Sequence, residues 1–369
     1  MEKKRPYRVI ISGGGTGGHI YPAIAIANKL KEKFSDTEVL FVGAENRMEM
    51  QKVPEAGYKI EGLWISGIQR KLTWDNLSFP LKLISSIRKS HRIIKEFKPD
   101  VVVGVGGYAS GPLLYAATQK GVPALIQEQN SFAGLTNKWL ANRIQTACVA
   151  YEGMEKFFPK EKVVLTGNPV RSDIIGAAKK REQALEFFDF SEEKPVLLII
   201  GGSLGARTLN EGVFAGLKEL IDQGVQVIWQ IGRFYYKDIK KRLEEFETTN
   251  IRAMEFIKEM DLAYGAADVV VSRAGALSVS ELCLAKKPSI FVPSPNVAED
   301  HQTKNARALV EKDAAWMIND REAKENLVDR ALELLNNEEE RKRLSENIAL
   351  WGRPEAAEDI VNEILKLIS

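Results

Sequence analysis

The stretch RVIISGGGTGGHIYPAIAIA, Arg8 to Ala27, decides the fold. An apolar strand ends at Ser12, Gly13 to Gly18 form a loop, and a helix is expected to begin near Pro22, because proline suits a first-turn position. Glycines let a backbone approach a ligand closely, and a helix N-terminus offers free N–H groups and partial positive charge. Gly13, Gly15 and Gly18 also satisfy G-x-G-x-x-G, with Glu45 as the acidic residue further on. A dinucleotide-binding fold is therefore a rival reading. His19, one of three histidines, stands at the mouth of the loop. It either packs the helix start or acts on a ligand.

Outward from this stretch the same grammar repeats. RVII, EVLFV, VVVGV, PALIQ and ACVA read as strands, and PAIAIANKLKEKF and LKLISSIRKSHRIIKEF as helices. Continuous Val/Ile/Leu runs, rather than strict alternation, indicate strands buried on both faces of a parallel sheet. After GNPVRSDI and a charged stretch (179–195) the pattern restarts with PVLLIIGGSLGARTLNEGV, then QVIWQ, IRAMEF, DVVVS and PSIFVP. The expected architecture is α/β: two Rossmann-like parallel-sheet domains, 1–170 and 171–352, with a last helix in 353–369 returning to the first. A chain of 369 residues suffices for two cores.

Composition narrows the partners. Lysine and arginine number 52 against 50 acidic residues, without the basic excess expected of a nucleic-acid binder. Cys148 and Cys283 sit in apolar runs and read as small buried hydrophobes, which fits a reducing compartment. The apolar run after the basic start is too short for a secretory signal, and no run reaches the length of a membrane span. A cytoplasmic protein is expected.

Three further segments carry chemistry. In the second glycine unit, Ser203 can hydrogen-bond a phosphate and Arg207 adds charge. In DVVVSRAGALSVSELCLAKKPSIFVPSP a strand ends at Ser272, Gly275 to Ser278 turn into a helix, and Glu281 can accept both hydroxyls of a ribose. In AEDHQTKNARALV, His301, Gln302 and Asn305 follow a strand end and suit sugar hydroxyls. Two glycine-loop units, one opening each half, favour a bound nucleotide diphosphate.

Smaller clusters join them. GVGGYASGP (104–112) suits an anionic acceptor, through Gly106, Gly107, Tyr108 and Ser110. QEQN places Glu128 and Asn130 at a strand end, and GNPVR places Asn168 and Arg171 at the domain junction. Trp64, Ile65, Ile68, Leu72, Trp74, Phe79 and Leu81 interleave with Arg70, Lys71, Lys82, Arg88 and Lys89. Such mixing suits the interface of an anionic bilayer, against the plainer reading of a core helix with a basic outer face.

Taken in order, GGTGGH, GGYxSGP, EQNxxxGLTNK, GNPVR, GGSxGAR, SRxGALSxSE and HQTKNA span nearly the whole chain. Together they resemble the MurG family, N-acetylglucosaminyltransferases that complete the lipid-linked precursor of bacterial peptidoglycan. The resemblance implies a GT-B fold, two Rossmann-like domains with a deep cleft. It implies UDP-N-acetylglucosamine as donor and undecaprenyl-pyrophosphoryl-MurNAc-pentapeptide as acceptor, joined at the MurNAc 4-hydroxyl with inversion. It also implies a peripheral place on the cytoplasmic face of the cell membrane and partners among cell-wall synthesis proteins.

Carried over residue by residue, the resemblance implies that Thr16, Gly17 and Gly18 approach the donor, with Asn130 and Arg171 contacting it. Ser203 would bind phosphate, Ile257 would pair its backbone with uracil, Ala276, Leu277, Ser278, Val279, Ser280 and Glu281 would hold diphosphate and ribose, and Gln302 would meet the sugar. Two positions depart from the family pattern: Gln127 stands for a histidine and Leu204 for a glutamine. No Asp-x-Asp pair occurs, so a metal clamp is not expected and no cofactor is implied beyond the donor. His19 is the expected general base, since an imidazole titrates near neutral pH, with Glu128 in reserve. The alternatives are a UDP-sugar 2-epimerase on the same fold and, further off, an NAD-dependent oxidoreductase.

Overall fold

The computed structural model describes residues 5–67 and 78–368. The chain divides into two compact units, 1–170 with 354–369, and 171–353. The first carries seven parallel strands: β1 (Arg8–Ser12), β2 (Glu38–Ala44), β3 (Lys59–Leu63), β4 (Val101–Gly104), β5 (Ala124–Glu128), β6 (Thr146–Val149) and β7 (Val163–Leu165), in the order β3-β2-β1-β4-β5-β6-β7. The second carries six: β8 (Val196–Ile200), β9 (Gln226–Gln230), β10 (Ile251–Met254), β11 (Val269–Ser272), β12 (Ser289–Phe291) and β13 (Trp316–Met317), in the order β10-β9-β8-β11-β12-β13. Each is the doubly wound arrangement, in which strand order reverses beside the first strand.

The continuous apolar runs explain the sheets. Along β1, Ile10 packs into one core while Val9 and Ile11 pack into the opposite one. Along β8, Leu198 and Ile200 face one core, Leu197 and Ile199 the other. Strands sandwiched in this way have no polar face to alternate with. The first sheet is flanked by α1 (Gly17–Lys33), α2 (Glu49–Glu55), α3 (Phe79–Phe97), α4 (Ser110–Gln119) and α5 (Leu135–Leu140). The second is flanked by α6 (Arg181–Phe188), α7 (Arg207–Ala215), α8 (Leu217–Asp222), α9 (Tyr236–Leu243), α10 (Met260–Ala266), α11 (Ala276–Ala285), α12 (His301–Val310), α13 (Asp320–Leu335) and α14 (Glu338–Ala349).

The last helix, α15 (Ala356–Lys366), buries Ile360, Val361 and Ile364 against the α1 side of the first sheet. Each such side chain contributes about 1.5–3 kcal/mol. The Lys33–Glu358 ion pair and the Lys33 Nζ bond to Asn362 (2.8 Å) sit at the rim and add little.

One expected boundary is corrected. α1 starts at Gly17, not near Pro22, which lies inside the helix. Thr16 is the extended N-cap, and its carbonyl already accepts the amides of His19 and Ile20. Pro22 has no N–H to give to the Gly18 carbonyl. The earlier start puts His19 inside the first helical turn. Both cysteines are buried, and burial pushes their thiols up. Among the described residues no helix is long and apolar enough to cross a membrane.

Candidate active site

In each unit the chemistry-bearing loops follow the two strands that flank the reversal of strand order: β1 and β4 in the first, β8 and β11 in the second. Open α/β sheets bind their ligands at this position, beyond the carboxyl ends of the strands.

In the first unit, the loop after β1 meets the loop after β4. Gly107 (φ +88°) approaches so closely that a Cβ there would lie 2.5 Å from the Gly14 carbonyl oxygen. The half-buried His19 ring lies over Gly106, where a Cβ would come within 2.9 Å of Nε2. His19 Nδ1 is 2.9 Å from the Gly14 carbonyl oxygen and 3.4 Å from Thr16 Oγ1. A carbonyl only accepts, so Nδ1 carries a proton, and in the neutral imidazole the lone pair is on Nε2. Thr16 is exposed, and Gly17 and Gly18 lie on the first turn beside His19. Tyr108 is half exposed with its ring against Gly67, while Ser110 is buried and donates to the Gly107 carbonyl at 2.8 Å.

Glu128 is buried and takes four donors. One oxygen accepts Asn130 N–H (3.0 Å) and Asn130 Nδ2 (3.3 Å); the other accepts Gly134 N–H (3.0 Å) and Asn137 Nδ2 (2.7 Å). So engaged, the carboxylate orders the Asn130 loop. Beside it Gln127 Nε2 donates to Asn168 (2.9 Å), whose Nδ2 donates to the Gln129 carbonyl (3.0 Å). Gln127, at a departure from the family pattern, thus serves a buried amide network.

The second unit holds a cavity of about 380 Å³, within the range of small-molecule sites. Its wall includes Gly201, Gly202 and Gly205 after β8, Arg273, Gly275 and Ser278 after β11, and Ser294 and Gln302 after β12. Gly275, the N-cap of α11, has no side chain to donate to, so the amides of Ala276, Leu277 and Ser278 have no partner within the helix. Gly205 (φ +89°) passes so near β9 that a Cβ would lie 2.4 Å from the Ile231 carbonyl oxygen. That packing fixes the β8 loop against the end of β9. Arg273 donates to the Val292 carbonyl (2.9 Å) and pairs with Asp320, and Asp320 also accepts from Thr208 (3.0 Å). This network ties the first turn of α7 to the end of β11.

Glu281 is half buried on the second turn of α11 and accepts from the buried Tyr264 hydroxyl at 2.9 Å. Burial raises its carboxyl above the usual range, while the charge of Arg171 and the Tyr264 bond pull it back. Val279 points into the core and Ser280 donates to the Ala276 carbonyl (3.0 Å), so neither side chain is turned outward. Gln302 Oε1 accepts the Ser294 N–H at 2.8 Å. The buried Ile257 donates its N–H to Gln230 at 3.1 Å. Ser203 and Leu204 are exposed on their loop, and Arg207, on the cavity wall, is paired with Glu211 at 2.7 Å.

The structure thus gathers Thr16, Gly17, Gly18, His19, Gly106 and Gly107 in one unit, and in the other it brings Ser278 and Gln302 to one cavity wall, without Ala276, Leu277, Val279, Ser280 or Glu281. Ser203 lies on the same loop as the cavity wall without joining it. Sequence reasoning missed Glu49, Thr208, Tyr264 and Asp320, and gave Arg273 no role. None of these has a local signature; each arrives by tertiary packing. Of the bilayer residues, Ile68, Arg70, Lys71, Leu72 and Trp74 lie outside the described residues. Trp64 and Leu81 are exposed, with Ile84 beside them, but Ile65 is buried and Lys82 turns inward to Ser66 (3.2 Å). Among the described residues no three His, Cys, Asp or Glu side chains are grouped as metal ligands.

Two doubly wound units with glycine loops at their reversal points define a class, and comparison with known families specifies it. The glycosyltransferase family 28 N-terminal domain matches residues 9–149 and the family's C-terminal domain matches residues 196–361. Among curated relatives, the UDP-N-acetylglucosamine–N-acetylmuramyl-(pentapeptide) pyrophosphoryl-undecaprenol N-acetylglucosamine transferase of Cytophaga hutchinsonii is 58% identical, over 100% of this chain and 99% of its own. The transferase of the same name from Parabacteroides distasonis is 57% identical, over 99% of each. The crystal structure of Acinetobacter baumannii MurG has a TM-score of 0.80 at 31% identity, over 98% of this chain and 100% of that one. The chain belongs to this family of glycosyltransferases. A UDP-GlcNAc 2-epimerase from Neisseria meningitidis has a TM-score of 0.67 at 15% identity, over 97% of this chain and 100% of that one, a likeness of fold alone.

Proposed function

We propose that this enzyme transfers N-acetylglucosamine from UDP-N-acetylglucosamine to N-acetylmuramyl-pentapeptide pyrophosphoryl-undecaprenol. The observation that carries this reading is the glycine-walled cavity of the second unit, whose wall includes Gly275 and Ser278 at the N-terminus of α11, where the first amides have no partner within the helix. Amides at a helix N-terminus suit the pyrophosphate of a nucleotide-sugar and stabilise the diphosphate as it departs. Glu281, set by Tyr264 and Arg171, accepts the ribose hydroxyls; Gln302 meets the sugar; the Ile257 carbonyl meets the base. Ser203 and Arg171 add donors to the phosphates. With the diphosphate held this way, the chemistry needs no metal clamp.

The acceptor belongs to the first unit, on the Gly106, Gly107, Tyr108 and Ser110 turn. His19 Nε2 takes the proton of the acceptor 4-hydroxyl as that oxygen attacks the anomeric carbon, and UDP leaves from the opposite face with inversion. Glu128 positions Asn130, and the Gly17–Gly18 turn frames the reacting sugars. The exposed Trp64, Leu81 and Ile84 form the described part of a surface for an anionic bilayer, where the lipid-linked acceptor resides. Proteins of cell-wall synthesis would be met at that surface, on the cytoplasmic side.

An oxidoreductase reading meets an obstacle at Gly15. Its N–H is already given to the Glu49 carboxylate at 2.9 Å, and a carboxylate there repels pyrophosphate. The deciding experiment is incubation with labelled UDP-N-acetylglucosamine and a lipid-pyrophosphoryl MurNAc-pentapeptide. A lipid-linked disaccharide is expected. Release of free N-acetylmannosamine with no use of the lipid would instead make the enzyme an epimerase. Binding to phosphatidylglycerol vesicles that weakens with salt supports the membrane reading, and equal binding to neutral vesicles counts against it.

A further inference from the structure

The first glycine loop rests on a buried carboxylate. Glu49, the first residue of α2, is fully buried. One of its oxygens accepts the Ala44 N–H at 3.0 Å and the other accepts the Gly15 N–H at 2.9 Å. The Gly15 N–H and the Gly14 carbonyl belong to one peptide unit, and that carbonyl is the partner of His19 Nδ1 at 2.9 Å. The chain of contacts therefore runs from carboxylate to peptide to imidazole. Bare glycines permit it: a Cβ on Gly14 would lie 2.1 Å from Glu49 Oε1, and one on Gly43 would lie 2.5 Å from Glu49 Cγ.

We propose that Glu49 is a positioning residue for His19, acting through the Gly14–Gly15 peptide. A carboxylate on the N–H side polarises the amide and makes its carbonyl a stronger acceptor. That acceptor holds the imidazole proton on Nδ1 and leaves the lone pair on Nε2, on the ring edge that lies against Gly106, where the acceptor hydroxyl is bound in the reading above. The opposite tautomer would set the Nδ1 lone pair against the carbonyl oxygen. The arrangement performs the task of the aspartate in a Ser-His-Asp triad, with a peptide unit interposed. The proton from the acceptor hydroxyl travels to Nε2, and Glu49 exchanges none. The proposal rests on His19 as the base.

Glu49→Gln keeps the size of the side chain but sets an NH2 group against one of the two waiting N–H groups. Wild type, E49Q, H19A and the double variant are compared in kcat at saturating donor, with thermal melting as a check on folding. The tautomer is read from the 15N shifts of labelled histidine, a tractable spectrum with only three histidines in the chain. E49Q is expected to lower kcat roughly 10- to 100-fold, the range found when a metal-bound imidazole loses its outer partner. It is expected to cost nothing further in the H19A background and to move His19 away from the Nδ1–H form. An unchanged tautomer, or an equal loss of kcat with and without His19, overturns the proposal. If E49Q does not fold, Glu49→Asp, short by one methylene, is taken through the same readouts. H19A with near wild-type kcat would overturn the base reading, while a tautomer that still follows Glu49 would leave the structural link standing.

Discussion

Replacing Glu281 by glutamine separates donor recognition from folding. The carboxylate accepts one protein bond, from Tyr264 at 2.9 Å, and burial raises its pKa while Arg171 opposes that rise. Ionising Glu281 therefore costs more in the fold than in water, and glutamine removes that cost while keeping an oxygen for Tyr264. Stability should hold or rise. Donor binding should suffer, because two ribose hydroxyls lose a charged acceptor. Hydrogen bonds to charged groups contribute about 1.5–3 kcal/mol. Losing the charge-assisted part of this binding raises the donor KM roughly 10- to 150-fold. As pH falls toward the raised pKa, wild-type Glu281 takes up a proton and donor affinity drops; in E281Q this acid-side loss should disappear. Calorimetric titration with UDP from pH 5 to 8, alongside thermal melting, reads both effects. A lower Tm with unchanged UDP affinity would refute the reasoning and make Glu281 a structural residue.

Three other expectations follow from single contacts. His19→Ala should lower kcat by ~10²–10⁴ with little change in donor affinity, measured by steady-state kinetics on the lipid acceptor. Lys287 is lowered to about 8 by burial, with its Nζ on the Ala267 carbonyl at 2.8 Å. The unfolded chain then binds the proton more tightly than the fold, so stability should be greatest above the ordinary lysine pKa and decline as pH falls through about 8, a difference of up to ~3 kcal/mol. Lys287→Met should flatten that slope in denaturant titrations. Gly205→Ala forces a left-handed φ of +89° on a residue whose methyl would meet the Ile231 carbonyl oxygen at 2.4 Å. A cost of about 1–3 kcal/mol and a fall of several degrees in Tm are expected by calorimetry.

How much was legible depended on what each element has to say locally. The strands flanking each reversal point, β1, β4, β8 and β11, are buried on both faces and announce themselves as unbroken apolar runs. β3, β7 and β13 lack a clear signal: each is a sheet edge with a single neighbour, β7 and β13 are at most partly buried, and β3 is buried only at Gly62 and Leu63. The glycine loops were visible because close backbone approach leaves no substitute for glycine at Gly107 or Gly205. The start of α1 is hidden because Pro22 suits a first turn by itself, whereas the Thr16 carbonyl already begins the helix. Glu49 was invisible in NRMEMQ, a string that reads as an ordinary polar helix start. Its burial depends on Gly14 and Gly43, which reach it only through the fold. Tyr264 is likewise 17 residues from the carboxylate it orients. Glu128 stood out in the sequence for its charge, and the structure gives that charge four donors instead of a free face.

In the proposed function the α11 N-terminus and the β8 glycine loop hold the departing pyrophosphate. A crystal structure with UDP tests it most directly. The diphosphate should lie within hydrogen-bond reach of the amides of Ala276, Leu277 and Ser278, with the ribose on Glu281. UDP seated instead on the Gly13–Gly18 loop of the first unit would contradict the account.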